Sequence, residues 1–316
     1  MDFFFSCDWG TTSLRLRLVA LPGCKIIAEE NSDEGIAAIF NLWKEQKEPE
    51  EKRFDFYLRV LENKIEALQK KAKFDLEDIP LVISGMASST IGIIDIPYKI
   101  LPANANGSDL VTKLVEKTKK FSHDIVIISG VRSVDDVMRG EETQLAGAVD
   151  GQAEGLFIFP GTHSKHVWVK EKKIVNVKTY MTGEFFDLLA TKSILASSVD
   201  RDALFDEREK NSFRKGAEYG QRGNILHESF LVRTNLLFDQ HSKQDNFFYL
   251  SGLLIGSELK ELADEEFSIT LVGSQKQCLY YKEAINALYP KRTINIIAAD
   301  QATVRGQYEI IKHLLN

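Results

Sequence analysis

The segment Asp8-Trp9-Gly10-Thr11-Thr12-Ser13 sets a carboxylate at the end of an apolar run, beside a glycine and three hydroxyls. A glycine lets the backbone approach an anion closely, and neighbouring N–H groups and hydroxyls then line a phosphate. A carboxylate at that edge suits a hydrated magnesium ion. Phe159-Pro160-Gly161-Thr162-His163-Ser164-Lys165-His166 offers a second turn of the same kind, with Lys165 as a phosphate contact. His163 and His166 lack an evident third ligand, so a metal site there is not expected. Met138-Arg139-Gly140-Glu141-Glu142-Thr143-Gln144 places paired acids at the start of a helix. Acids there complement the helix dipole; one of them also suits a general base for a hydroxyl, with Arg139 near an anion. Transfer of a phosphoryl group needs positioning and charge neutralisation more than covalent chemistry.

Two glycine-containing stretches lie further along. Leu271-Val272-Gly273-Ser274 ends a late strand, where a purine or ribose has room to lie. Ser251-Gly252-Leu253-Leu254-Ile255-Gly256 reads either as helix packing through glycines or as a close approach to nucleotide. Other phosphate-binding plans are absent: there is no G-x-x-x-x-G-K-[ST], no H-R-D catalytic loop and no G-x-G-x-x-G.

The elements that must position these groups follow from periodicity. Residues 2–8 form a strand broken by the Gly10 turn, Leu14, Leu16 and Leu18 alternate with arginines in a second strand, and residues 24–30 form a third. The charged stretch from Lys44 to Arg53 reads as a solvated face. Tyr57 to Lys71 has helical spacing, Leu81–Ile83 and Ile125–Ile128 are buried strands, and Glu141 to Val149 is a short helix. The second half opens in the same way: strand, Gly161 turn, alternating Val167 and Val169, a third strand over 174–180, and a helix from Glu184 to Ala196. A long polar helical stretch is expected from about Asp200 to Lys260, then strands over 268–272 and 293–297 and a closing helix from Ala302 to Leu315. Laying Gly10 over Gly161, an offset of 151 residues, also superposes Thr11 on Thr162 and Ser13 on Ser164. This predicts a duplicated α/β domain, 1–150 and 151–316, with the two turns facing across a cleft.

Composition bounds the partners. The chain has 316 residues, enough for two cores, and a formal net charge of −6. An acidic balance argues against nucleic acid as a partner. Three scattered cysteines argue against a disulfide framework and suit a reducing cytoplasm. No window is apolar enough for a membrane span or a signal peptide.

Taken together and in order, the motifs at 8–15, 138–145, 160–165, 181–184 and 250–256, with Ser84-Gly85-Met86 and Leu271-Val272-Gly273, resemble the 2-keto-3-deoxygalactonate kinase family over nearly the whole chain. The resemblance implies duplicated actin-like or hexokinase-like (ribonuclease H-like) domains around a central ATP cleft. It also implies ATP-dependent phosphorylation of the C6 hydroxyl of 2-dehydro-3-deoxy-D-galactonate in galactonate catabolism. By the same resemblance, Asp8 organises Mg2+, and Gly10, Thr11 and Thr12 form the first phosphate motif. Gly161, Thr162, His163, Ser164 and Lys165 form the second, and Gly252, Gly273 and Ser274 belong to the nucleotide site. Ser84, Gly85, Met86, Ser88 and Arg139 are expected at the sugar acid. Glu141 matches the family base best by order, with Glu142 its neighbour and Glu184 the next candidate. A kinase of another 2-keto-3-deoxy sugar acid, a nucleotide-switched actin-like assembly protein and a homodimer stay open.

Overall fold

The computed structural model describes residues 2–46, 52–72, 76–201, 205–264 and 267–312. Residues 47–51 of the charged stretch and 313–315 of the closing helix lie outside them. The chain divides into two compact units: unit 1 comprises Met1–Ala153, Trp168–Val177 and Ala299–Asn316, and unit 2 comprises Glu154–Val167 and Lys178–Ala298. The closing helix thus returns to unit 1.

Unit 1 begins with β1 (Phe3–Trp9), β2 (Leu14–Ala20), β3 (Lys25–Ser32), α1 (Ile36–Lys44), α2 (Arg53–Ala72) and β4 (Leu81–Gly85). After a single 3-10 turn at Met86–Ser88 come β5 (Lys99–Ile100), β6 (Ala103–Asn104), β7 (Thr112–Val115), β8 (Ile125–Ile128), β9 (Val131–Arg132), β10 (Val137–Met138) and α3 (Glu141–Ala148). The main sheet has the order β3-β2-β1-β4-β8-β7. β1, β2 and β3 form an antiparallel meander, while β1, β4 and β8 run parallel. Parallel central strands are covered on both faces, which explains their near-continuous apolar character. On one face, Phe5, Cys7 and Trp9 meet Leu16 and Leu18 and the apolar stripe of α2, including Tyr57, Leu61, Ile65 and Leu68. On the other lies α9 (Ala299–Ile311): Tyr308 stacks on Phe4, and the Gln307 amide donates to the Cys7 carbonyl and to Ser84 Oγ, both at 2.9 Å. α9 also crosses α3 at backbone contact. A Cβ on Gly306 would lie 1.8 Å from the Thr143 carbonyl oxygen, and one on Gly147 2.0 Å from that of Ala302.

The strands β11 (Gly155–Phe159), β12 (Ser164–Lys170) and β13 (Lys173–Tyr180), followed by α4 (Thr182–Lys192), repeat the order of β1, β2, β3 and α1. Of these, Trp168–Val177 is counted with unit 1; unit 2 further holds α5 (Glu207–Arg222), α6 (Ile225–Leu237), α7 (Lys243–Leu259), β14 (Ile269–Gly273), α8 (Gln275–Leu288) and β15 (Ile294–Ala298). β14 lies between β11 and β15 and runs parallel to both, so the link from β14 to β15 must cross over the sheet, and α8 is that crossover.

The expected long polar helical stretch is corrected by this arrangement. It contains three helices, and α7 is buried at nearly every position from Asp245 to Leu259. α7 is started by a reciprocal capping box between Ser242 and Asp245. Its two glycines face α5. A Cβ on Gly252 would stand 2.0 Å from the Phe213 carbonyl oxygen, and one on Gly256 2.1 Å from that of Ala217. Gly216 and Gly220 of α5 answer with approaches of 2.1 Å to the carbonyl oxygens of Tyr249 and Leu253. Replacing a helical glycine by alanine ordinarily stabilises a helix by about 1 kcal/mol. Gly252→Ala should instead destabilise, by roughly 1–3 kcal/mol, because the methyl meets backbone that cannot rotate away. Urea midpoints of the two proteins check the sign.

Candidate active site

The Gly10 turn is closed by its own Gly10 N–H to Ser13 carbonyl bond at 2.9 Å. Its carbonyls are held from outside: Ile36 N–H donates to Gly10 O at 3.0 Å and Ala37 N–H to Thr11 O at 3.2 Å. The first orphan amides of α1 are thereby satisfied. Gly35 makes this possible, since a Cβ there would be 2.3 Å from Thr11 O. The Gly161 turn is held in the same way, by Glu184 N–H on Thr162 O at 3.1 Å, with Gly183 where a Cβ would be 2.6 Å from Gly161 O. The duplication read from the strands thus extends to the glycine and helix that seat each turn.

Asp8 ends β1 with Arg15 as its cross-strand neighbour and Ser84 of β4 on its other side. Its Oδ2 accepts from Arg15 Nη1 at 3.3 Å. Burial raises the Asp8 carboxyl above its ordinary range, and Arg15 and Arg17 oppose that shift. Arg17, fully buried, is clamped between Glu29 and Asp300 at 2.6 Å each. Gly85 has φ +88°, and a Cβ on it would be 2.7 Å from Trp9 O and 3.5 Å from Asp8 Oδ1. Gly140, with φ +115°, abuts Gly85, its own Cβ position being 3.5 Å from Gly85 Cα. The strand end carrying Asp8 and the start of α3 are therefore brought side by side by two glycines.

Arg139, half-buried, lies with its guanidinium 4.1 Å from the centre of the Tyr98 ring and donates through Nη1 to Ser88 O and Oγ at 2.6 and 2.5 Å. Glu141 Oε2 accepts from Arg139 N–H at 3.1 Å and stays half-exposed. Glu142 is 1% exposed; both of its oxygens accept from Gly140 N–H, and Thr143 Oγ1 donates to one of them. Burial, then the Glu141 charge beside it, pushes the Glu142 carboxyl up to about 8. With its carboxyl raised in this way Glu142 adds little to the helix dipole, and Glu141 is the acid of the pair that reaches solvent.

In unit 2 a cavity of about 370 Å³ opens beside the second turn. Gly161, Thr162, Thr182 and Gly183 form one side, Phe247, Ser251, Leu254 and Ile255 of α7 another, and Lys276, Gln277, Tyr280 and Tyr281 of α8 a third. Aromatic and aliphatic walls with a few polar groups suit a nucleoside. Gly273 touches Pro160, its Cβ position being 3.4 Å from the ring, so β14 ends against the turn. Ser274 caps α8 in a box with Gln277.

Several expected residues sit differently. Gly252 faces α5 rather than the cavity, because its missing side chain is what lets the two helices touch. Ser84 is buried and bonded to Gln307, and Ser164 is buried and donates to Glu258. Lys165, 7% exposed, folds back so that Nζ donates to His163 O at 3.1 Å. His163 pairs with Glu184 at 2.5 Å, which draws that third acid to the turn. Gly85 and Ser88 sit with Arg139 and Gly140, and Met86 is half-exposed on the same 3-10 turn. Tyr98, Gly35 and Glu258 carry the arrangement without any signal in the sequence, while Gly183 belongs to the 181–184 motif and takes its place against the Gly161 turn. The larger cavity of unit 1, about 740 Å³, is bordered by the far end of α3 and by α9, and none of the expected residues line it. No helix among the described residues is long and apolar enough to cross a membrane.

The Glu142 carboxyl gives a pH dependence of stability. Its folded pKa, about 8, exceeds the ordinary 4.5. Its contribution is therefore fully present below about 4.5 and is lost as pH rises toward 8. Urea midpoints of the wild type should fall between pH 5 and pH 8, and Glu142→Gln should flatten that slope, since the amide keeps the shape without the ionisation.

A family model described as 2-keto-3-deoxy-galactonokinase matches residues 8–310. The 2-dehydro-3-deoxygalactonokinase of Escherichia coli (strain K12) is 29% identical over 321 residues, covering 99% of both chains. The crystal structure of a candidate 2-dehydro-3-deoxygalactonokinase from Sinorhizobium meliloti matches with a TM-score of 0.81 at 26% identity, covering 98% of this chain and 99% of that one. The activator of the 2-hydroxyisocaproyl-CoA dehydratase from Clostridium difficile, solved with bound ADPNP, matches with a TM-score of 0.52 at 14% identity over 99% and 96% of the two chains. At that identity the likeness concerns the fold alone, the actin-like ATPase fold. Motif order, the paired turns and the matched span agree, and the chain belongs to the 2-keto-3-deoxy-galactonokinase family.

Proposed function

We propose that Glu141 takes the proton from the C6 hydroxyl of 2-dehydro-3-deoxy-D-galactonate as that oxygen attacks the γ-phosphorus of ATP, with ADP leaving. The family supplies the reaction, a kinase step of galactonate catabolism. The observation that carries the base is the asymmetry of the paired acids: Glu142 is sealed, with burial raising its carboxyl, while Glu141 is half-exposed at the start of α3 beside Arg139. Arg139 and the Ser88 turn offer the charge and hydrogen bonds that a sugar-acid carboxylate needs. The nucleotide goes to the cavity beside the Gly161 turn, its aromatic wall taking the base.

The residues around Asp8 fit magnesium in one particular mode. Among the described residues no three His, Cys, Asp or Glu side chains converge as a metal cage. One hard carboxylate beside threonine hydroxyls suits an ion that keeps its waters and is shared with phosphates. Bound there, Mg2+ neutralises charge on the transferring phosphates. Asp8 would orient that hydrated ion, and Arg15 and the β4 strand hold Asp8 in place.

Three measurements test this reading. In a coupled ATP assay over a panel of 2-keto-3-deoxy sugar acids, the galacto acid should give the highest kcat/KM; preference for another epimer would reassign the substrate. Glu141→Gln should lower the single-turnover rate at least about 100-fold with nucleotide affinity little changed. Loss of chemistry in Glu142→Gln with Glu141→Gln active would move the base by one residue. Asp8→Asn should nearly abolish transfer at any magnesium concentration, and a rate within about threefold of wild type would remove Asp8 from the metal site.

A further inference from the structure

The cavity of about 740 Å³ in unit 1 takes no part in the chemistry described above. Its wall comes from five places: the Gly23–Cys24 turn between β2 and β3, the 104–108 loop after β6, the end of α3 with the turn that follows, Lys172 between β12 and β13, and one face of α9. All five belong to unit 1. Small-molecule sites measure roughly 300–1,000 Å³, so this one has room for more than a bare ion. Gly23 and Gly151 leave the wall open, since a Cβ on either would meet no atom within 4 Å.

The wall joins unpaired cations to unfilled acceptors. Lys172 and Arg305 are exposed, come from different elements, and have no carboxylate partner among the described residues. The acids of the wall do not neutralise them: Glu309 is engaged by Lys312 on its own helix, and Asp150 has no ion-pair partner among the described residues. Burial raises the thiol of Cys24, another wall residue, and the Arg305 charge opposes that shift, which sets the guanidinium within electrostatic reach of the wall. Gln152 adds a buried Oε1 that accepts no hydrogen bond among the described residues. A buried acceptor left unfilled is costly, and a ligand hydroxyl in the cavity would fill it.

The elements of this wall also hold the groups assigned to catalysis. α3 starts at Glu141 and reaches the wall at Ala146 and Gly147, within a helix about 12 Å long. Gln307, between the wall residues Arg305 and Tyr308, donates to Cys7 O and Ser84 Oγ, on the strands that flank Asp8. The backbone contacts of Gly147 and Gly306 lock α3 to α9, so neither helix shifts without the other.

We propose that this cavity is a second ligand site, taking a phosphorylated sugar or sugar acid, and that its occupancy sets the rate of phosphoryl transfer through α3 and α9. Lys172 and Arg305 recognise the anionic groups, while Asp150 and Gln152 accept from hydroxyls. A site for a bare anion would need neither the volume nor the acceptors. Binding is independent of the roles given to Asp8 and Glu141; only the effect on rate rests on the kinase reading.

Calorimetry on the full chain, with ADP and the galacto acid filling the active site, should give one site for 6-phosphogluconate with a Kd below about 1 mM. Gluconate and inorganic phosphate, the two halves of that probe, should each bind at least about tenfold more weakly. Arg305→Ala and Lys172→Ala, at exposed positions that leave folding intact, should each raise the Kd at least about tenfold, and Arg305→Lys should recover part of the loss. Gln152→Leu should weaken 6-phosphogluconate and leave phosphate unchanged. In the coupled assay, saturating 6-phosphogluconate should shift kcat or the sugar-acid KM of the wild type at least about twofold. It should leave Arg305→Ala unaffected, and that variant's activity without the probe should match the wild type. No binding up to about 10 mM, binding that vanishes once the active site is filled, or a Kd unmoved by both charge variants overturns the site. An unchanged rate with the cavity occupied overturns its regulatory role. A wild type that binds the probe but lacks kinase activity would instead overturn the kinase reading and leave the site standing.

Discussion

Both phosphate-type turns depend on one steric constraint, the approach of a helix start to the backbone of the turn it seats. Gly35 and Gly183 occupy positions where any Cβ would lie well inside contact distance of a turn carbonyl. That proximity lets the first amides of α1 and α4 bond to carbonyls at Gly10, Thr11 and Thr162. Each turn is thus fixed by backbone, which has no rotamers, instead of by side chains that a substrate would have to displace. Asp8, Ser164 and the cavity beside Gly161 take their positions from those two anchors.

Charge is partitioned by burial with equal consequence. Adjacent acids at a helix start would repel one another if both were ionised. Burial, acting against Gly140 N–H bonds that favour the charged form, pushes the Glu142 carboxyl up to about 8 and so relieves that repulsion. Burial raises the Asp8 carboxyl too, and there Arg15 and the buried Arg17 oppose the shift.

Much of this is legible in the sequence, for physical reasons. The strands around Gly10 and Gly161 alternate cleanly, and glycine between an apolar run and a hydroxyl pair has few structural meanings, so the duplicated order of elements follows. The sequence also orders Arg139, Gly140 and Glu141 ahead of the second copy. The burial of α7 is not legible, because its polar Asp245, Asn246 and Glu258 suggest a solvated helix until their partners on α4, α5, α6, α8 and β12 are known. Crossover helix α8 escapes notice for a related reason: its buried Cys278, Tyr281, Ala284 and Ile285 are spread among polar residues. Glu258 bonds residues up to 94 positions away, which no local pattern encodes.

The glycine-to-carbonyl seam between α5 and α7 also bears on how this protein can change over evolutionary time. Ser251, Leu254 and Ile255 of the cavity wall share a helix with Gly252 and Gly256, whose face is committed to backbone contact. A seam without side chains offers no compensating substitutions, so the helix axis is effectively frozen across descendants. The lining of this cavity is then free to drift only by exchange of the side chains that the frozen axis displays. Divergent members of the family are therefore expected to keep the four glycines while varying the residues between them.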